Sequence, residues 1–199
     1  MTMRTASAEA QRPFPLIASV EAFDQLGAAL DSDVERVNLL IGDINSLAEL
    51  VSEVHEAGKT AHVHLELVGG IGRDGAAVRF LAEHVGADGV ISTKSSAVAA
   101  ARQLGIDSVQ RFFAVDTHAV THALRQINAS RPTEVEVMPG LMPRIIREVR
   151  GKLSQPLIVG GLIRHAREVE HALACGADFV STGGADLWRR RDWGAVRVA

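Results

Sequence analysis

The chain has 199 residues, of which 47% are hydrophobic, and its formal net charge is -3 at pH 7. This length suits one domain with a sizeable core, and the charge gives the protein no overall attraction to nucleic acid. The single cysteine, Cys175, excludes an internal disulfide. No apolar run approaches the roughly 18 residues of a membrane span, and the start of the sequence lacks a signal-peptide pattern. We therefore expect a cytoplasmic protein without membrane contact.

Eight apolar runs of strand length alternate along the chain with helical patterns. The predicted strands span residues 16–19, 36–41, 60–66, 89–93, 108–114, 134–138, 156–160 and 178–182. This alternation predicts a parallel sheet covered by helices, in the α/β class, and eight such units predict a small single-domain TIM-type (β/α)8 barrel over residues 14–191. Residues 1–13 are expected to form a flexible N-terminal tail and residues 192–199 a C-terminal tail. A doubly wound open sheet is the alternative, although no GxGxxG pattern follows the first strand.

Charged side chains interrupt several of the predicted strands. Because side chains alternate across a strand, Glu66 and Glu136 are expected to point into the barrel while their apolar neighbours pack on the helices. Arg111 lies within the fifth strand, and Lys94 closes the fourth. Buried charges must be paired or bound to something, so these four residues predict a ligand site at the barrel mouth. The alternative is a purely structural ion pair between Arg111 and Glu136.

The third strand also contains an HxH pattern, formed by His62 and His64. In some barrel hydrolases this pattern binds a metal, but those sites need further histidine or aspartate ligands from later strands. Strands six to eight have no histidine at their ends. We therefore expect interior histidines and no metal site.

Two glycine pairs follow the last two predicted strands. Gly160–Gly161 ends the seventh strand, and Gly183–Gly184 follows the eighth. In barrels, the loops after these two strands often hold a phosphate on backbone amides, and glycine lets the backbone approach the anion closely. The pairs therefore predict a phosphate site, with an ordinary tight turn as the alternative.

Arginines accumulate in the last quarter of the chain. The candidate nucleic-acid contacts are Arg144, Arg147, Arg150, Arg164, Arg167, Arg189, Arg190 and Arg191. Neighbouring outer helices would join them into one basic strip, and Trp188 and Trp193 at its end are predicted to be exposed and to stack unpaired bases. The alternative is an ordinary solvated surface, because glutamates are interleaved with these arginines.

Several motifs occur together in the order of a known family. The segments LLIGDI, HVHLELVGGIGRD, GADGVISTKSS, VQRFFAVD, VEVMPGLMPRII and VGGLI…GADFVSTGGADLW resemble those of the glycerol-3-phosphate-responsive antiterminators, the GlpP family, over roughly residues 14 to 188. The resemblance implies a barrel that binds glycerol 3-phosphate as effector, needs no cofactor, and acts on the leader mRNA of glycerol-utilisation genes. The ligand site that it implies comprises Glu66, Lys94, Arg111, Glu136, Gly160, Gly161, Thr182, Gly183 and Gly184.

Two departures from the family pattern affect the expected ligand contacts. Glu66 stands where the family has aspartate, and the STGG turn differs from the expected STS. Two other functions stay open: a lyase or isomerase acting on a phosphorylated metabolite, with Lys94 as base or Schiff-base amine, and a phosphate-ligand sensor without RNA binding. The sequence does not specify the oligomeric state.

Overall fold

The computed structural model describes residues 14–193, so the predicted tail of residues 1–13 and residues 194–199 lie outside it. Eight parallel strands pair in chain order, and β1 pairs with β8 to close a barrel. The strands are β1 Leu16–Val20, β2 Arg36–Leu39, β3 Thr60–His64, β4 Gly89–Ser92, β5 Asp107–Phe113, β6 Glu134–Met138, β7 Leu157–Gly160 and β8 Phe179–Thr182. The predicted barrel is confirmed, and the open sheet is excluded.

A helix follows each strand and packs outside the barrel. The helices are α1 Leu26–Leu30, α2 Leu47–Glu56, α3 Gly75–Phe80, α4 Ser95–Leu104, α5 Thr117–Ser130, α6 Pro143–Arg150, α7 Ala166–Ala174 and α8 Ala185–Trp188. Asp74 and Asp116 cap α3 and α5, because each carboxylate accepts backbone N–H groups of the first turn. None of the helices within residues 14–193 has the length and apolarity that crossing a membrane requires.

Strand parity separates two apolar layers. Alternate residues such as Val63 and Val137 pack with the helices in the larger cluster, which also buries Cys175. The barrel interior holds only a small cluster of Ile17, Ile91, Val109 and Ile158 with Phe179 against it. The remaining interior positions are polar, including His62, His64 and Glu136. The barrel interior is therefore largely polar, and we look for the candidate functional site at its carboxyl end.

The short α8 leaves a gap in the helical layer that two indoles fill. Trp188 is fully buried and donates from Nε1 to the carbonyl oxygen of Thr182 at 2.9 Å. Trp193 is 5% exposed, and the Arg190 guanidinium lies 5.1 Å from its ring centroid. The prediction that Trp188 and Trp193 are exposed for base stacking is therefore wrong, because four residues of helix cannot cover β8 and β1 alone.

Replacing Trp188 with alanine is expected to lower the free energy of unfolding by about 3–5 kcal/mol, because it leaves a large cavity. Urea denaturation followed by circular dichroism measures this change. Arg191→Ala is the control, since it removes only an exposed ion pair with Asp33 and should change stability little. Equal stability of the Trp188 variant and the wild type would contradict the structural role of this indole.

Candidate functional site

A cavity of about 450 Å³ opens at the carboxyl ends of the strands. It lies among the ends of β1, β2 and β6 and the loops that follow β7 and β8. Its walls comprise Ser19, Glu21, Leu40, Met138, Gly161, Leu162, Ile163, Arg164, Ser181, Thr182, Gly183 and Gly184. Four of the predicted ligand residues, Gly161, Thr182, Gly183 and Gly184, are therefore brought together in one wall.

The loop after β7 contributes four consecutive residues, 161–164, to the cavity wall. Gly161 and Leu162 both adopt left-handed conformations, with φ of 77° and 63°, and the Leu162 side chain points to solvent, 63% exposed. Within residues 14–193, the backbone N–H groups of Leu162, Ile163 and Gly183 have no hydrogen-bond partner. Such unpaired N–H groups in a concave turn form an anion-binding surface.

The amino end of α7 is already neutralised by its own side chain. The Glu168 carboxylate accepts the N–H groups of Arg164 and His165 at 2.8 and 2.9 Å, and these two bonds lower the pKa of Glu168. Glu168 therefore occupies the two amides that directly precede α7, and an anion in the cavity has the amides of Leu162, Ile163 and Gly183 available.

A buried ion pair lies beneath the cavity. Arg111 Nε donates to Glu136 Oε2 at 2.6 Å, and the two residues are only 4% and 0% exposed. The second Glu136 oxygen accepts the hydroxyl of Ser181 at 2.5 Å, so the ion pair supports a cavity wall. Gly160 must lack a side chain, since a Cβ there would lie 2.8 Å from Glu136 Oε1. The Nη2 atom of Arg111 is buried without a hydrogen-bond partner in residues 14–193.

Glu66 lies on the opposite side of the mouth, between β3 and β4. Its Oε1 accepts the Ser92 hydroxyl at 2.5 Å and the Thr93 N–H at 3.2 Å. Its Oε2 lies 3.4 Å from His64 Nδ1, and burial together with the nearby Arg111 charge lowers the pKa of His64 to about 3. His64 is therefore neutral at neutral pH. Lys94 is exposed just before α4, and neither Lys94 nor Glu66 lines the cavity.

Several wall residues escaped the sequence analysis. Ser19 and Ser181 have inward positions by strand parity, but short hydroxyl side chains give no charge signal. Glu21 directly follows β1, where a solvated loop carboxylate is the ordinary interpretation. Arg164 was assigned to the basic strip, although it lines the cavity. Only the pairing of β8 with β1 brings these distant segments together.

The structure divides the eight arginines of the predicted basic strip. Arg150 bonds to Asp178 at 2.8 Å and to the carbonyl oxygen of Leu153. Arg190 bonds to Glu170 and Asp192, and Arg191 bonds to Asp33. The remaining arginines are exposed, namely Arg144, Arg147, Arg164, Arg167 and Arg189. Of these, only Arg144 has a salt bridge within residues 14–193, a 4.0 Å contact with Glu148.

The sequence from residue 16 to residue 188 matches the family of the glycerol-3-phosphate responsive antiterminators. The chain belongs to this family. A relative from Escherichia coli K12, the uncharacterized protein YgcP, is 34% identical over 177 residues, which cover 89% of this chain and 93% of the relative.

Two solved structures of the same family are close in shape. The glycerol uptake operon antiterminator regulatory protein of Listeria monocytogenes is 29% identical with a TM-score of 0.85, covering 92% of this chain and 97% of that one. A glycerol uptake operon antiterminator-related protein of Thermotoga maritima is 31% identical with a TM-score of 0.78, covering 87% and 97%. More distant barrels include enzymes such as orotidine 5'-phosphate decarboxylase, which share the fold alone.

The buried neutral His64 predicts a specific pH dependence of stability. Its pKa is about 3 in the folded protein against an ordinary 6.5, so between these values the unfolded state binds a proton that the folded state does not. The free energy of unfolding should therefore fall as the pH drops from about 6.5 towards 3. This fall should be shallower in His64→Gln than in the wild type, measured by urea denaturation across that range.

The control is His122→Gln, which removes an exposed histidine of α5 and should leave the pH dependence as it is in the wild type. If the free energy of unfolding depends on pH equally in His64→Gln and in the wild type, the pKa of His64 is not lowered in the folded protein.

Proposed function

We propose that the protein is a glycerol-3-phosphate-sensing transcription antiterminator that binds the leader mRNA of glycerol-utilisation genes in the cytoplasm. One observation carries the proposal: in a chain of this family, unpaired loop amides line a cavity together with Ser181, which bonds to the buried Arg111–Glu136 pair. The amides suit a phosphate, and the serine hydroxyl suits a small polar group attached to it.

The phosphate is placed on the loops after β7 and β8. The residues with unpaired N–H groups, Leu162, Ile163 and Gly183, line this region, and Arg164 adds a positive charge at its edge. Hydrogen bonds from amides to a charged phosphate are stronger than neutral ones. Glu168 already accepts the N–H groups of Arg164 and His165, so the proposed phosphate site consists of the amides of Leu162, Ile163 and Gly183 with the Arg164 side chain.

The glycerol hydroxyls are placed towards the hydroxyls of Ser19 and Ser181 and the carboxylate of Glu21, which line the same cavity. Glu136 acts here through Ser181, because both of its oxygens already accept hydrogen bonds. Glu66 and Lys94, which the family resemblance assigns to the ligand, would meet it only if the mouth contracts around it.

The geometry favours an effector over a substrate. A Schiff-base lysine needs an apolar pocket that lowers its pKa, whereas Lys94 is exposed and outside the cavity wall. Among the wall residues the one candidate general base is the Glu21 carboxylate, which the proposal uses to accept a glycerol hydroxyl. We therefore propose binding of glycerol 3-phosphate without chemical conversion and without a cofactor.

A valine at position 183 tests the proposed phosphate-binding site. A Cβ there meets Glu21 and Ser19 at 3.5 Å, an ordinary contact distance, so the fold tolerates it while the larger side chain blocks the amides. Gly161 is less suitable, since its positive φ makes any side chain strained. Gly183→Val should lose about 1.5–3 kcal/mol of binding free energy, or about ten- to hundredfold in affinity for glycerol 3-phosphate by calorimetry.

The matched control is Gly27→Val in α1, where an added Cβ meets nothing within 4 Å. It should bind glycerol 3-phosphate like the wild type. Unchanged affinity of Gly183→Val would remove the phosphate from this loop, and a wild type that binds no glycerol 3-phosphate would reject the proposed function itself.

RNA binding is assigned to the exposed arginines of α6, α7 and the segment after α8. Arg147 and Arg189 are exposed on the outer surface, away from the cavity wall. Arg150, Arg190 and Arg191 have acidic partners that reduce the charge they offer to RNA. Phosphate contacts by arginine release counterions and make affinity depend on salt.

The double change Arg147→Glu and Arg189→Glu is expected to weaken leader RNA binding by about tenfold or more and to reduce its salt dependence. Filter binding in the presence of glycerol 3-phosphate measures both quantities. The control reverses the same charges on other helices, with Arg102→Glu in α4 and Arg125→Glu in α5, both exposed. Equal losses in the two double variants would show that net charge matters and that α6 and the segment after α8 do not form the interface.

A further inference from the structure

The exposed apolar side chains of the protein are confined to one face. Every large hydrophobic residue that is exposed within residues 14–193 lies at the carboxyl end of a strand or in the loop that follows it. These residues are Phe23, Ile44, Leu67, Phe113, Val115, Leu141 and Leu162. They come from the β1, β2, β3, β5, β6 and β7 sides of the barrel. An apolar surface of this kind marks an interaction site.

The charges on the β1 and β2 sides of this face differ in sign from those on the β6 and β7 sides. The loops after β1 and β2 carry only carboxylates: Glu21, Asp24 and Asp43. On the β6 and β7 sides the exposed charged residues nearest the face are Arg144, Arg164 and Arg167. Glu168 in the first turn of α7 is half-buried and accepts the N–H groups of Arg164 and His165. The acidic and basic sides therefore face each other across the barrel mouth, with β8 between β1 and β7.

This layout is self-complementary under two-fold rotation. In a barrel of eight evenly spaced strands, an axis lying in the carboxyl face through β4 and β8 brings β1 opposite β7 and β2 opposite β6 of a second copy. The β1 and β2 carboxylates then meet the arginines of the β7 and β6 sides. Isologous contacts of this kind are the commonest way in which a protein forms a dimer.

The apolar residues pair under the same rotation. Phe23 comes opposite Leu162, Ile44 opposite Leu141, and the β3 residue Leu67 opposite the β5 residues Phe113 and Val115. The loops after β4 and β8, which have no exposed large hydrophobic residue, lie on the axis. Lys94 of the β4 loop faces its own counterpart there, which limits the affinity of the contact.

We propose that two copies of this chain dock through their carboxyl faces, with the two-fold axis through the β4 and β8 loops. The β1 and β2 carboxylates would repel the phosphates of RNA, which makes a second protein copy the better occupant of this face. The outer surfaces of α6 and α7 stay accessible in the dimer.

Docking also closes the ligand cavity. The mouth lies among β7, β8 and β1, beside the axis, and Leu162 belongs both to its wall and to the apolar face. A ligand that fills the cavity and orders the β7 loop therefore favours the dimer, and the dimer retains the ligand, because such coupling is reciprocal. This coupling rests on the proposed function, whereas the contact itself does not.

A charge-swap experiment tests the contact. Asp24 and Arg167 are exposed, lie on the β1 and β7 sides and do not line the cavity. Sedimentation velocity of the full chain, with and without glycerol 3-phosphate, should show a dimer whose dissociation constant falls with the ligand. Asp24→Arg and Arg167→Glu should each raise that constant about tenfold, and the double variant should regain most of the loss.

An apolar variant provides the second measurement. Val115→Asp should weaken the dimer, whereas Ser154→Asp, exposed at the amino end of the barrel, should not. A wild type that binds glycerol 3-phosphate yet stays monomeric would overturn the proposal. A dimer whose dissociation constant is unchanged in all of these variants would overturn it as well. If the wild type is monomeric and Val115→Asp loses RNA binding, the carboxyl face binds RNA and the proposed dimer contact is wrong. A dimer with these sensitivities that binds no glycerol 3-phosphate supports the contact and rejects only the proposed effector.

Discussion

The buried ion pair between Arg111 and Glu136 is the constraint on which the carboxyl half of the barrel depends. Removing two such charges from water costs several kcal/mol per ion, which only close pairing and further hydrogen bonds offset. The register places the two residues directly opposite each other on β5 and β6, and Ser181 of β8 completes the bonding of Glu136. Gly160 of β7 leaves the necessary space. One charged pair therefore fixes four successive strands, and these strands form the floor of the cavity.

The arrangement above this floor suits reversible recognition. Unpaired loop amides offer hydrogen bonds to an anion, while Glu168 accepts the N–H groups of the two residues that precede α7. The loops after β6, β7 and β8 are short, and no long insertion in residues 14–193 covers the mouth as a lid does in many enzymes. Exposed hydrophobic residues surround the mouth instead, which favours closure by another molecule over closure by the chain itself.

Much of the fold follows from local sequence signals, while the details of the site follow from long-range pairing. Alternating apolar runs give all eight strands, and strand parity correctly sends Glu136 inward, since each signal extends over a few residues. Three of the four paired glycines, Gly161, Gly183 and Gly184, line the cavity. The burial of Trp188 depends on how α8 lies against β1 and β8, which local composition does not indicate. The pairing of Arg191 with Asp33, 158 residues away, leaves no trace in local composition. Glu66 and Lys94 lie outside the wall because the cavity opens towards β1 rather than towards β3 and β4.

A crystal structure of the protein grown with glycerol 3-phosphate would locate the ligand. We expect the phosphate on the amides of Leu162, Ile163 and Gly183, with the glycerol hydroxyls towards Ser19, Ser181 and Glu21. We also expect the Arg111–Glu136 pair to stay intact beneath the ligand. A phosphate bound elsewhere on the barrel, or a cavity without ligand at saturating concentration, would rule out this site.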